Sequence, residues 1–125
     1  MRLRVHFIGI GGVSMSCMAK YMSGMGFDVD GSDVRRSEYV DELVAMGIKV
    51  AIGHSEENIA GAHVAVYSDA IKEDNVELAY ARREKLYVIS RAELLKSIAE
   101  NFALVIGVAG CHGKTTVTCM LAHIF

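Results

Sequence analysis

Short, continuous apolar runs recur at 5–10, 27–31, 48–52, 63–67, 86–89 and 104–108, and no other feature of the sequence constrains the fold as strongly. Continuous rather than alternating apolar runs are what strands covered on both faces require, and such strands belong to parallel sheets. Helical patterns fill most of the gaps. Met15, Met18, Met22 and Met25 recur at helical spacing, with Gly24 and Gly26 as stop signals. Ser37 is placed to cap a helix over 37–46 ahead of Gly47, and 73–84 is a charged helix candidate. Between the third and fourth runs, 54–59 leaves room only for a turn or a short helix. Ser90 and Glu93 form a capping box, after which Leu94, Leu95 and Ile98 face inward. Strand-helix alternation predicts a parallel sheet with right-handed crossovers. The expected fold is α/β: a doubly wound, mainly parallel five-stranded sheet over 1–101. The opening strand, loop and helix of a second unit follow over 102–125, with the boundary at Glu100-Asn101-Phe102.

Composition narrows the function classes. The 125 residues suffice for one domain with a real core. At 52% apolar and 22% charged residues the chain is globular rather than disordered. A net charge of −2 supplies no field that would draw it to nucleic acid or to a membrane surface. No apolar run approaches the roughly 20 residues of a membrane span. A charged, glycine-rich stretch follows Arg2 and Arg4 too soon for a signal peptide. Cys17, Cys111 and Cys119 lack framework spacing and read as reduced thiols of a cytoplasmic protein.

Two glycine loops carry the chemistry. The first, GIGGVSMS at 9–16, follows the first apolar run. Glycines there let the backbone turn tightly and approach a ligand, and the following helix points free N–H groups at the same spot, which suits a diphosphate. This is a Rossmann-like arrangement, although Gly9-x-Gly11-x-x-Ser14 lacks the third glycine of the dinucleotide fingerprint. Asp30 and Asp33 stand about twenty residues on, where a ribose-binding acid belongs. A nicotinamide or flavin site and a ligand-free turn are the other readings of this loop.

The second loop, Gly110-Cys111-His112-Gly113-Lys114-Thr115-Thr116, is more specific. Its backbone amides are suited to wrapping a phosphate chain, its lysine to the outer phosphates, and its first threonine to Mg²⁺. The strict pattern places glycine where Val108 stands, so this is a variant P-loop. Cys111, His112, Cys119 and His123 also suggest a metal set, but zinc on the phosphate loop would block the nucleotide.

The two loops together, with 31-GSD-33, 53-GH-54, 67-YSDAIKEDN-75 and 90-SRAELL-95 between them, resemble the Mur ligases of peptidoglycan synthesis over the whole chain. The family often has Ala-Gly in place of Val13-Ser14 and Ser-Ser in place of Ser68-Asp69. The resemblance implies a three-domain, ATP- and Mg²⁺-dependent ligase that phosphorylates the carboxylate of UDP-N-acetylmuramate and then joins L-alanine to it. It implies that 1–101 is the UDP-sugar-binding domain and that 102–125 begins a truncated ATPase domain. A chain of this extent is then expected to be inactive alone. Exposed Ile106, Leu121, Ile124 and Phe125 would be able to drive artificial dimers.

The resemblance also implies residue roles. The backbone from Gly11 through Gly12, Val13, Ser14 and Met15 to Ser16 would hold the UDP diphosphate, and Asp33, His54 and Ser68 would line the uridine edge. Gly110, Cys111, His112, Gly113, Lys114, Thr115 and Thr116 would bind ATP. Lys114 would stabilise charge on the transferring phosphoryl group, and Thr115 would ligate Mg²⁺. Plainer readings stand beside these: Asp33 and Ser68 as turn caps, His54 as a solvent-facing loop residue. Two competing functions remain: a sister ligase that recycles a murein tripeptide, whose first loop typically has Gly-x-Cys-Gly, and a non-catalytic NAD-type regulatory module.

Overall fold

The first strand, β1 (Arg4–Ile8), leads through the glycine loop into α1 (Val13–Gly24). Three further strand-helix pairs follow: β2 (Asp28–Asp33) with α2 (Glu38–Ala45), β3 (Lys49–Ile52) with α3 (Glu56–Ile59), and β4 (Val64–Tyr67) with α4 (Val76–Arg83). The last pair is β5 (Tyr87–Ser90) and α5 (Arg91–Ala109). The structure is a computed structural model that describes residues 2–109, with side chains through Glu100. The five strands form one sheet in the order β3-β2-β1-β4-β5, and every pairing is parallel. The chain first winds outward from β1 to β3, then returns to pair β4 against the other side of β1. The β1–β4 junction is therefore the topological switch point, where open sheets of this kind bind ligands.

Side-chain alternation along β1 divides the core between the two faces. Val5 and Phe7 belong to a cluster with Met15, Met18 and Leu43, closed by Leu94, Leu95 and Ile98 of α5. Ile8 belongs to the opposite cluster with Ile59, Leu78 and Ala81 of α3 and α4. Complete burial of Phe7 and Ile8 contributes about 1.5–3 kcal/mol each, before entropy is counted. Gly31, opposite Phe7 in the ladder, has no room for a side chain: a Cβ would lie 2.6 Å from the Phe7 carbonyl oxygen and from Ile10 Cδ1.

The expected strands and helices lie where the sequence placed them, within a few residues. Residues 9 and 10 leave β1 because Gly9 turns at φ +87°, while Ile10 remains fully buried. Ser37 caps α2 by accepting from the Val40 amide at 3.3 Å. The capping box is present, with the Ser90 amide on Glu93 Oε1 at 3.1 Å and the Glu93 amide on Ser90 Oγ at 3.2 Å.

Two expectations fail. The run 104–108, read as a sixth strand, lies within α5. An isolated strand leaves its backbone groups unpaired, whereas a helix satisfies them internally, and an apolar run of this length fits either state. Cys17 is disulfide-bonded rather than a reduced thiol. Disulfide pairing depends on Cα separation, which spacing in the sequence does not report.

Candidate functional site

A cleft of about 800 Å³ runs along the C-terminal ends of the strands. The glycine loop is at its centre. His54 lines it beyond β3, Asp33, Val34, Arg35 and Ser37 at and after the end of β2, Ser68 to Ile71 beyond β4, and Arg91 beyond β5. Gly9, Gly11, Gly12, Val13, Ser14 and Met15 supply the floor.

The start of α1 gives this floor its polarity. Gly12 is the N-cap, with extended backbone and no capping side chain, and the first turn carries no acidic residue. The Ser16 amide is the first to enter the helical ladder, bonding the Gly12 carbonyl at 2.9 Å. The amides of Val13, Ser14 and Met15 have no partner among the described residues. Three donors at the positive end of a helix, beside a loop whose one side chain, Ile10, is buried, favour an anion with several oxygens.

The structure divides the loop residues named above. Gly11 donates its amide to Asp33 Oδ2 at 2.8 Å, so that amide holds the loop rather than a ligand. Ser16 is completely buried, and its Oγ bonds the Val13 carbonyl at 3.0 Å. Gly12, Val13, Ser14 and Met15 line the cleft, and of these Val13, Ser14 and Met15 have open amides.

Asp33 has both oxygens engaged by backbone, Oδ2 with Gly11 and Oδ1 with the Val34 amide at 2.8 Å. It fastens the loop to the end of β2, as a turn-capping acid does. Asp30 points away from the cleft, into a bonded cluster with Arg4 and His6. Ser68 packs behind the loop, where its Oγ lies 2.6 Å from the point a Gly9 Cβ would occupy. His54 lines the cleft but turns Nδ1 inward, 3.0 Å from Ser32 Oγ and 3.4 Å from Glu77 Oε2.

Beneath His54 lies a buried polar cluster that the sequence reading missed. Glu77, completely buried on α4, accepts from His6 Nε2 and Ser32 Oγ, each at 2.6 Å, on Oε1. Its Oε2 accepts from the Ser55 amide at 3.0 Å and from Asn58 Nδ2 at 2.9 Å. His6, 1% exposed, bonds Asp30 Oδ1 at 2.5 Å through its other nitrogen, and Arg4 Nε bonds Asp30 Oδ2 at 2.5 Å. An ionised carboxylate only accepts, so both His6 nitrogens donate and the ring is an imidazolium. Burial pushes the His6 pKa down, but the bonds to Asp30 and Glu77 outweigh it and leave the value raised. Burial pushes Glu77 up, but the bonds from His6, Ser32 and Asn58 outweigh that and hold it at about 2. The sequence did carry a signal: Asp30 and Ser32 are polar positions in a central strand, in register with His6 and Ile8 of β1.

Arg91 and Arg35 were also missed as cleft residues. Arg91 pairs with Asp69 Oδ2 at 2.9 Å through Nη2 and reaches Ser14 Oγ at 3.5 Å through Nη1. It stands immediately after β5, inside the capping-box motif, which accounts for that stretch without a ligand. Among the described residues no cluster of His, Cys, Asp and Glu has the form of a metal site. None of the described helices is long and apolar enough to cross a membrane. The second loop, Gly110, Cys111, His112, Gly113, Lys114, Thr115 and Thr116, lies outside the described residues, as do the side chains named for dimer formation.

Comparison with known proteins agrees with this fold. A sequence profile described as "Mur ligase family, catalytic domain" matches residues 4–103. A UDP-N-acetylmuramate–L-alanine ligase of Acetivibrio thermocellus is 48% identical over 96% of this chain, which is 26% of the relative. Its counterpart in Clostridium acetobutylicum is 46% identical over 97% of this chain, again 26% of the relative. The chain thus spans about a quarter of the length of these curated relatives. The crystal structure of a UDP-N-acetylmuramate–alanine ligase from Thermotoga maritima superposes with a TM-score of 0.77 at 29% identity, covering 80% of this chain and 23% of that one. Matched by the family profile over most of its length and by these relatives over nearly all of it, the chain belongs to the Mur ligase family.

Proposed function

We propose that the cleft binds the UDP moiety of UDP-N-acetylmuramate. On this reading 1–101 is the substrate-binding part of an ATP-dependent ligase that joins L-alanine to that substrate through an acyl phosphate. The observation that carries the reading is the set of three open amides at Val13, Ser14 and Met15, on a helix start with neither a capping side chain nor an acid. On this reading the nucleoside lies toward β2 and β3 and the sugar toward β4 and β5, where Arg91 adds a cation. The names of the relatives favour L-alanine ligation over murein-tripeptide recycling. An NAD-type module is disfavoured by Asp33, because its carboxylate is engaged by the loop and is not free to hold a ribose.

Within the same proposal, 102–125 begins the ATP-binding domain. Lys114 stabilises charge on the phosphoryl group, Thr115 supplies a ligand for Mg²⁺, and the backbone from Gly110 to Thr116 holds the phosphates. The substrates are cytoplasmic metabolites, so a cytoplasmic location goes with the reading.

Gly12→Asp tests the site directly. Gly12 has φ −71° and ψ 159°, open to any residue, and a Cβ there meets nothing closer than 3.9 Å. An aspartate caps the α1 amides and puts a carboxylate where the diphosphate sits. The expected outcome is a fold stabilised by only about a few tenths of a kcal/mol, together with loss of UDP-N-acetylmuramate binding in calorimetry. Undiminished binding would remove the diphosphate from this helix start.

A further inference from the structure

Glu77 sits at a junction between the buried cluster and the cleft, and its bonds dictate a protonation state one residue away. Its carboxylate accepts from four groups: His6, Ser32, Ser55 and Asn58. Ser32 has a single hydroxyl proton, committed to Glu77 Oε1 at 2.6 Å. Toward His54 the serine oxygen therefore offers only a lone pair. The other atom near His54 Nδ1 is Glu77 Oε2, also a pure acceptor. Facing two acceptors, Nδ1 must carry the proton. A neutral imidazole has only one, so Nε2, on the far edge of the ring, is left bare.

We propose that Glu77, acting with Ser32, is a positioning residue that fixes His54 in the Nδ1–H tautomer. The cleft then presents the bare Nε2 as an acceptor that selects uracil over cytosine. Uracil offers an N3–H donor to such an acceptor, whereas the cytosine N3 is itself an acceptor and sets two lone pairs against each other. The inference rests on the UDP reading above, because His54 lines the β3 end of the cleft, where that reading puts the nucleoside. A site built to receive an N–H rejects the analogue that lacks it, since the buried polar atom is then unpaired.

Two measurements on the full 125-residue chain test this. Long-range ¹H–¹⁵N spectra of the histidine rings near neutral pH should show His54 as the Nδ1–H tautomer in the wild type. In Glu77→Gln, whose amide also donates, the population should move toward Nε2–H. Calorimetric titration should give UDP about tenfold or more tighter binding than CDP in the wild type. The preference should shrink to within about threefold in Glu77→Gln and in His54→Phe, which leaves the buried cluster's carboxylates in place. A wild-type His54 protonated on Nε2, equal binding of UDP and CDP, or a preference untouched by either variant overturns the proposal. Absence of binding by both nucleotides instead sinks the UDP reading and the selectivity that rests on it, while the spectra still decide whether Glu77 sets the ring. Should Glu77→Gln fail to fold, the wild-type spectrum and His54→Phe carry the test.

Discussion

His6 and Glu77 show how one pair of side chains ties the sheet to a helix. Both lie on the face of the sheet opposite α5, and removing Glu77 breaks its buried pair with His6, which keeps Asp30, while taking the shared acceptor from Ser32, Ser55 and Asn58. Glu77→Ala should therefore cost about 3–5 kcal/mol in chemical denaturation, far more than an ordinary surface substitution. The pH dependence follows from the shifts. Glu77 is held at about 2, below its ordinary 4.5, so its contribution is fully present above pH 4.5 and is lost as pH falls from there toward 2. His6 is raised above its ordinary 6.5, so its contribution is present below pH 6.5 and is lost as pH rises through the higher folded value. The stability advantage of wild type over Glu77→Ala should accordingly shrink on acidification below pH 4.5, and a difference that stays flat there would show that Glu77 is not ionised in the fold. None of this was legible from Glu77 alone. Helical spacing groups it with the charged residues of 73–84, and only the approach of β1 and β2 makes it an interior residue.

At the level of elements, helix starts divide into closed and open ones. Asn75 Oδ1 accepts from the Glu77 and Leu78 amides at 2.9 and 3.2 Å, so α4 is capped and its first turn fixes Glu77 in place. Asn75→Ala should cost about 1 kcal/mol and, by loosening that turn, should also weaken the preference of the cleft for UDP over CDP. A stability loss with no change in preference would separate the cap from the site. By contrast α1 begins uncapped, and that opening is the proposed anion site. The open start was legible in the sequence, because GIGGVSMS offers glycines where other helices here carry serine or asparagine. The roles of Asp33 and Ser68 were legible only in part. Their positions at strand ends followed from the pattern, but whether a side chain turns to the ligand or back to the loop depends on close approaches such as that of Ser68 to Gly9. The run 104–108 shows the converse limit, since its composition fits a strand and it lies in a helix.

For the molecule as a whole, parallel order and double winding place every strand's C-terminal end along one edge, and the cleft is the outcome. That much was written in the spacing of the apolar runs, because buried parallel strands admit few topologies. The inner polar cluster and Arg91 were not, because each depends on which residues of distant strands and helices meet. The central claim is that this edge recognises a UDP-sugar rather than a dinucleotide. The most direct test is calorimetric titration of the chain with UDP-N-acetylmuramate and with NAD⁺ under the same conditions. Saturable heat from UDP-N-acetylmuramate, with none from NAD⁺, is the predicted result. Preferential binding of NAD⁺, or heat from neither, would contradict it.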